Sequence, residues 1–350
     1  MINNLATGGA QSLVVNLSIE MTRLGHSSRI FTFAPTPGNA LVRAQENGLD
    51  VITLGHFARD ARAISKLSRA VVGSDVIHVH LFPALYFVAL ARLSNPLIYT
   101  EHSTTNRRRS VRMLSPLEKA AYGGYDKIVA ISDGVREGLQ HHFNSIGLDR
   151  NIEVIQNGIG AGFFNASPRV LPRGRGPLRI IAIGTLDARK NFAAAVAAVH
   201  RVPNVTLSIA GGGPQVDQLR RQIQQLGLGD RVFLLGERAD VRELLDQHHV
   251  LLSTSLFEGF GLVVAEAMAR GCAVIGPAVP GLDEVVINEK SGLLYPQSAD
   301  ALDEIAARIA RVRDNEPLYD TLAHAAFTTS RRFSIGKAAA AYLDLYENLL

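Results

Sequence analysis

One cysteine, no tryptophan and no long apolar run are what this 350-residue chain makes do with. A lone Cys272, set in "GCAVIGP", forms no internal disulfide and reads as a small buried apolar side chain in a reducing compartment. No apolar stretch approaches the ~18–20 residues of a membrane span. No basic stretch precedes an apolar core at the start, so no signal peptide is expected and the chain is expected in the cytoplasm. Charge of one sign is also scarce: 36 Lys and Arg face 32 Asp and Glu, a net +4. Most basic residues are scattered, and none is interleaved with aromatics as in a nucleic-acid surface, so no nucleic-acid partner is expected. Familiar chemistry is missing as well. There is no G-x-G-x-x-G fingerprint, which argues against a nicotinamide dehydrogenase, no Asp-x-Asp pair for a divalent ion and no G-x-S-x-G elbow. His141–His142 and His248–His249 are adjacent pairs, whose side chains diverge on a helix, so no metal site is expected.

What is present is an alternation. Apolar residues make up 47% of the chain, ample for cores, and the length suggests about two domains. "SRIFTFAP", "DVITLG", "DVIHVH", "PLIYTEH", "KIVAIS" and "IEVIQNG" read as strands in the first half. Between them "AQSLVVNLSIEMTRLG", "DARAISKLSRAVVG", "ALYFVALARL" and "DGVREGLQHHF" show helical spacing, and Gly25 signals the end of the first helix. "NASPRVLPRGRGP", residues 165–177, reads as a linker. The pattern then restarts with "LRIIAIG", "VTLSIAG", "RVFLLG", "VLLSTS", "CAVIGP" and "GLLYP" as strands. The expectation is α/β: two Rossmann-like domains with parallel sheets facing across a cleft, spanning residues 1–165 and 178–332, and a C-terminal helix, 333–350, packing back toward the first. "NNLATGGAQ" reads as a strand-to-helix loop with almost nothing before it, so the first strand is expected either reduced to "MIN" or upstream.

Ligands of open parallel sheets bind at the carboxyl ends of the strands, which directs attention to the loops there. Gly8 and Gly9 open a helix in "TGGAQ", where backbone amides suit an anion or simply make a tight turn. Arg189 and Lys190 sit in "IGTLDARKN", as cations for a diphosphate or as a solvated loop. His102 ends the strand of "YTEH". "NRRRSVR" gathers Arg107, Arg108, Arg109 and Arg112, which reads as a contact for phosphates or anionic lipid, or as a solvated loop. In "SLFEGFGLVVAEAMARG" a loop carboxylate, Glu258, precedes a helix starting near Gly261, and Glu266 lies about a turn inside it. Two carboxylates flanking an anion-favouring helix start fit a ligand with phosphates in the middle and hydroxyls at both ends, the layout of a nucleotide sugar.

Taken in order, "NNLATGGAQ", "TEHSTTNRRR", "AISDGV", "VIQNGI", "IGTLDARKN", "IAGGGP", "FLLGERADV" and "SLFEGFGLVVAEAMARG" resemble glycosyltransferase family 4, the retaining group with the GT-B fold, over nearly the whole chain. The resemblance points to a bacterial enzyme of polysaccharide or lipopolysaccharide synthesis. It implies that Glu258 bonds donor-sugar hydroxyls, Glu266 holds the ribose, and Gly261 and Leu262, beside Phe260, meet the diphosphate with Lys190 as its cation. Gly8 and Gly9 close on the donor, His102 sits beside the transferred sugar, and Gly236 to Arg238 receive the base. The family often has Arg where Thr185 stands, and Arg189 is the candidate replacement. The implied activity is a metal-independent transfer, without cofactor, from a nucleotide sugar, a UDP-sugar favoured, to a glycan or lipid-linked acceptor, with a peripheral contact at the inner face of the membrane through the arginine cluster. A nucleotide-sugar epimerase of the same fold, or a non-catalytic nucleotide-sugar binding protein, is the alternative.

Overall fold

Every strand among the described residues pairs in parallel, as short apolar runs separated by helices require. The structure is a computed structural model and describes residues 1–34, 36–55, 63–167, 171–172, 174 and 176–350. It divides into two units: Met1–Ile159 with Phe333–Leu350, and Gly160–Arg332.

In the first unit α1 (Gly9–Arg23) leads to β1 (Arg29–Thr32), α2 (Asn39–Glu46), β2 (Asp50–Thr53), α3 (Ala63–Ala70), β3 (Ile77–His80), α4 (Ala84–Leu90), β4 (Leu97–Glu101), α5 (Ser115–Gly123), β5 (Lys127–Ala130), α6 (Asp133–Ile146) and β6 (Ile152–Val154). Strands β3, β4, β5 and β6 lie side by side in that order, and β1 pairs with β2. Residues 1–3 connect the two groups. Ile2 bridges both Thr32 and His80. The Ile2 amide donates to Phe31 O at 3.0 Å and the His80 amide to Met1 O at 2.8 Å. "MIN" thus runs as a rudimentary strand between β1 and β3, and Gly8, extended at φ 172, leads directly into α1. Gly25 does end that helix: at φ +94 it is followed by a His26 amide that reaches back to Met21 O at 3.0 Å.

The second unit runs β7 (Leu178–Ile183), α7 (Phe192–Arg201), β8 (Val205–Ala210), α8 (Val216–Gln225), β9 (Val232–Gly236), α9 (Val241–Asp246), β10 (Val250–Leu252), α10 (Leu262–Ala269), β11 (Ala273–Pro277), β12 (Leu293–Tyr295), α11 (Ala301–Asp314) and α12 (Glu316–Ser330). Its sheet has the order β12-β11-β10-β7-β8-β9. The core packs Ile180 and Ala182 of β7 with Val196 and Val199 of α7 and Ile305 and Ile309 of α11. Helices on both faces explain why these strands read as unbroken apolar runs. The last helix, α13 (Ile335–Glu347), belongs to the first unit and packs against α1. Cys272 is buried, and burial pushes its thiol up to about 12. Of the linker, residues 168–170, 173 and 175 lie outside the described residues.

Candidate functional site

Strand order reverses in the second unit between β7 and β10, so the loops leaving these two strands flank the switch point where a ligand of an open parallel sheet sits. They are tied to each other. The Leu256 amide donates to Arg189 O at 2.7 Å, and Thr254 Oγ1 to Lys190 O at 2.8 Å. Across this joint Lys190 Nζ stands 2.5 Å from Glu258 Oε1, and Ser255 Oγ donates to the same oxygen at 2.7 Å. A cation and a carboxylate are held together at the end of the sheet.

Immediately beyond lies the start of α10. Gly261 is its N-cap at φ +83, in the left-handed region, and no side chain caps the helix. Its first amides therefore have no intrahelical acceptor, the situation that favours an anion. Glu266 lies four residues after Leu262, hence on the same face of α10 one turn on. The Phe260 ring is 2% exposed, so that residue has only backbone to offer a ligand.

Two expected donor contacts are differently engaged. The Arg189 side chain is 70% exposed and bonds Asp187 through Nε at 3.1 Å and Nη2 at 2.6 Å. That bond raises the arginine and, against the push of partial burial, holds the aspartate below its ordinary range. Its guanidinium pairs within its own loop, and Glu258 adds to the pull that raises it. Arg238 is likewise paired, with Asp240 at 2.7 and 2.5 Å, just after Gly236 at the end of β9. The glycine run "AGGGP" has a packing reason: a Cβ on Gly213 would stand 2.6 Å from Leu186 O, so the β8 turn passes against the β7 loop.

In the first unit His102 follows the last residue of β4. Its Nε2 is 3.0 Å from His80 Nδ1. His78 lies beside His80, ring centroids 4.0 Å apart, and bonds Tyr346 OH and Thr100 Oγ1, each at 2.7 Å. Burial lowers His102 to about 4 against the upward pull of Glu101, and lowers His78 and His80 as well. These rings are neutral near pH 7. The alternation in "DVIHVH" places both strand histidines on one face, so the i, i+2 spacing is the sequence signal for this cluster.

The arginine cluster is not the surface patch expected. Asn106 caps a 3₁₀ turn over Arg107–Ser110, and this turn winds Arg108 and Arg109 into the unit. Arg108 lies among Phe82, Tyr86 and Tyr122 with its guanidinium 3.6 Å from Glu101 and 3.4 Å from Glu118. Arg109 contacts Glu101 Oε2. Both charges meet buried carboxylates, because a buried guanidinium is tolerated only with a partner. Arg112 is exposed, between Val111 and a Met113 that is 91% exposed. The Arg107 side chain lies outside the described residues. A cavity of about 320 Å³ bounded by α1, β1, β3 and α13 is at the amino ends of those strands, the wrong end for a ligand of this sheet.

Two family models match in succession: "Glycosyltransferase Family 4" over residues 7–161 and "Glycosyl transferases group 1" over residues 164–329. The chain belongs to glycosyltransferase family 4. It is 30% identical over 256 residues to alpha-maltose-1-phosphate synthase of Mycolicibacterium smegmatis, covering 66% of this chain and 64% of that protein. It is 31% identical over 210 residues to the lipopolysaccharide core biosynthesis glycosyltransferase LpsD of Rhizobium meliloti, covering 58% of this chain and 59% of that one. The matched stretch thus spans about three-fifths of the length of these curated relatives. The crystal structure of Anabaena HepE with UDP and glucose superposes with a TM-score of 0.84 at 21% identity, covering 99% of both chains. The fold is GT-B, and no helix among the described residues is long and apolar enough to cross a membrane.

Proposed function

We propose that this glycosyltransferase is a retaining hexosyltransferase of cell-envelope polysaccharide synthesis, moving a sugar from a nucleotide sugar, a UDP-sugar favoured, to a glycan or lipid-linked acceptor. The observation that carries the reading is the Lys190–Glu258 pair at 2.5 Å beside the uncapped start of α10. As the glycosidic bond breaks, the leaving nucleoside diphosphate gains negative charge. Lys190 and the amides of Gly261 and Leu262 stabilise that charge, an interaction stronger in the transition state than in the bound donor. Glu258 accepts from hydroxyls of the donor sugar and Glu266 from the ribose. The acceptor hydroxyl attacks from the face the diphosphate leaves, and a departing phosphate oxygen takes its proton. Positive charge for the leaving group comes from a lysine and a helix start, so the proposal needs no metal.

HepE, solved with UDP and glucose and with UDP-glucose, supports a uridine donor, and LpsD supports an envelope role. The exposed Val111, Arg112 and Met113 are the remaining candidate contact with an anionic membrane. Arg112→Glu should then reduce cosedimentation with phosphatidylglycerol vesicles, and equal sedimentation removes that contact from the proposal.

The test incubates the protein with UDP-glucose, GDP-mannose, ADP-glucose or dTDP-glucose, a bacterial lipid-linked saccharide extract, and EDTA. One donor should yield product with the anomeric configuration kept, and Glu258→Ala should abolish it. An inverted product, loss of turnover in EDTA, or epimerisation of the donor without acceptor would contradict the proposal.

A further inference from the structure

We infer that Glu101 and Arg109 are positioning residues for His102, an inference that rests on the transfer reaction proposed above. Glu101 is the last residue of β4, 2% exposed, and its two carboxylate oxygens have different duties. Oε1 accepts the backbone amides of His102 at 3.0 Å and Ser103 at 3.3 Å. Oε2 accepts from Tyr122 OH at 3.2 Å and Tyr99 OH at 3.3 Å, and the Arg109 guanidinium closes on it. The Arg109 side chain is 8% exposed. One oxygen thus grips the turn that carries His102, and the other anchors that grip in the core.

Stability alone does not call for this arrangement. Replacing a buried ion pair by well-packed apolar side chains is often neutral or stabilising, and Tyr99, Tyr122 and Phe143 already supply an aromatic surround here. What an apolar replacement would lose is the fixed backbone of residues 102 and 103. His80 completes the hold: its Nδ1 is 3.0 Å from His102 Nε2, which leaves Nδ1 as the nitrogen of His102 not engaged by that partner. Backbone and ring are therefore tethered separately, which holds the His102 side chain in one orientation.

The test compares Arg109→Met, Arg109→Lys, Glu101→Gln and His102→Gln. Each is assayed for UDP release from UDP-glucose, for UDP binding by calorimetry, and for the His102 ring Cε1–H resonance across pH. Arg109→Met should lower kcat about tenfold or more, with KM changed less than about threefold. UDP affinity should stay within about twofold, because the nucleotide contacts lie in the other unit. Arg109→Lys, which keeps the charge, should recover most of the rate. Arg109→Met combined with His102→Gln should be no slower than His102→Gln alone. The His102 resonance should shift in both Arg109→Met and Glu101→Gln, and its midpoint should fall in Glu101→Gln, which removes the carboxylate that favours the protonated ring. His200 and His324, in the other unit, should not move. Unchanged turnover in Arg109→Met while His102→Gln loses it, or losses that multiply in the double variant, would overturn the inference. So would an unmoved His102 resonance. If Arg109→Met does not fold, Arg109→Lys and the near-isosteric Glu101→Gln carry the test. Wild-type protein that binds none of UDP, GDP, ADP and dTDP and turns over none of the four donors sinks the transferase reading, and the His102 resonance still decides whether the clamp exists.

Discussion

Glu258 holds Lys190 through a 2.5 Å bond and is itself held by Ser255, so in the absence of donor the site's carboxylate and its cation neutralise each other. A donor must draw them apart, with phosphate competing for the ammonium and sugar hydroxyls for the carboxylate. Glu258→Gln should therefore have opposite effects on two readouts. UDP, which carries no sugar, should bind about two- to fivefold tighter because Lys190 is released. Turnover of UDP-glucose should fall by about a hundredfold. Calorimetry beside a UDP-release assay measures both, and weaker UDP binding would show that the pair does not compete with the phosphates. The histidines make a second prediction at this scale. His102 is lowered from 6.5 to about 4 by burial, and His78 and His80 are lowered as well. Below pH 6.5 the unfolded chain binds protons that the folded rings refuse. Stability is then lost on acidification between 6.5 and 4, at up to about 1.4 kcal/mol per pH unit for each such histidine. Glu101, whose folded pKa is depressed because its arginines outweigh burial, adds its loss only at lower pH. Urea midpoints at pH 7.5, 6 and 5 should fall in that order, and a flat series would contradict the buried neutral rings. Residue-scale legibility was uneven for a physical reason. Glu258 and Lys190 stand out because loop chemistry after a strand is local. Arg108 and Arg109 stand out as well, but their inward direction does not, because it is set by the Asn106 cap and by Glu101 and Glu118, the two carboxylates seven or more positions away.

At the scale of elements, glycines let loops pass where a side chain would collide. Gly281 has φ +88, and a Cβ there would stand 2.7 Å from Gly259 O and 2.8 Å from Glu258 O, backbone atoms that cannot swing aside. Gly227 has φ +64 with open space around it. Alanine at either should cost about 1–2 kcal/mol of left-handed strain. Only Gly281→Ala should also displace the Glu258 loop, weakening UDP-glucose binding about tenfold or more. Melting temperature and calorimetry separate the two effects, and equal loss of binding in both variants would count against the packing argument. The strands of both sheets were readable from the sequence because burial on two faces leaves apolar β-branched runs bounded by glycine. Helices α2 and α5 were not. Asn39–Glu46 is short with only Ala40 and Ala44 buried, and Ser115–Gly123 buries the charged Glu118 while exposing Leu117, so neither shows an apolar stripe. A reduced first strand at "MIN" stays one of two readings in the sequence, because the pairing of Ile2 rests on two isolated bridges, which leave no periodic pattern.

For the whole molecule, the α/β alternation and its pause near residue 165 reflect two units, each built on its own parallel sheet. The first unit is completed by Phe333–Leu350 from beyond the second, and Tyr342 and Tyr346 of α13 reach Thr100 and His78, so the final helix borders the histidine cluster. The nucleotide contacts proposed here, Lys190, Glu258, Gly261, Leu262 and Glu266, all fall within Gly160–Arg332. That concentration makes one measurement decisive: calorimetric titration of the purified protein with UDP, GDP, ADP and dTDP, repeated on Glu266→Ala. The account predicts that one nucleotide, UDP first among them, binds well ahead of the others and that Glu266→Ala weakens it by about tenfold or more, the loss of a charged hydrogen-bonding partner for the ribose. Binding of none, or tight binding that Glu266→Ala leaves unchanged, would contradict the nucleotide-sugar site at the start of α10.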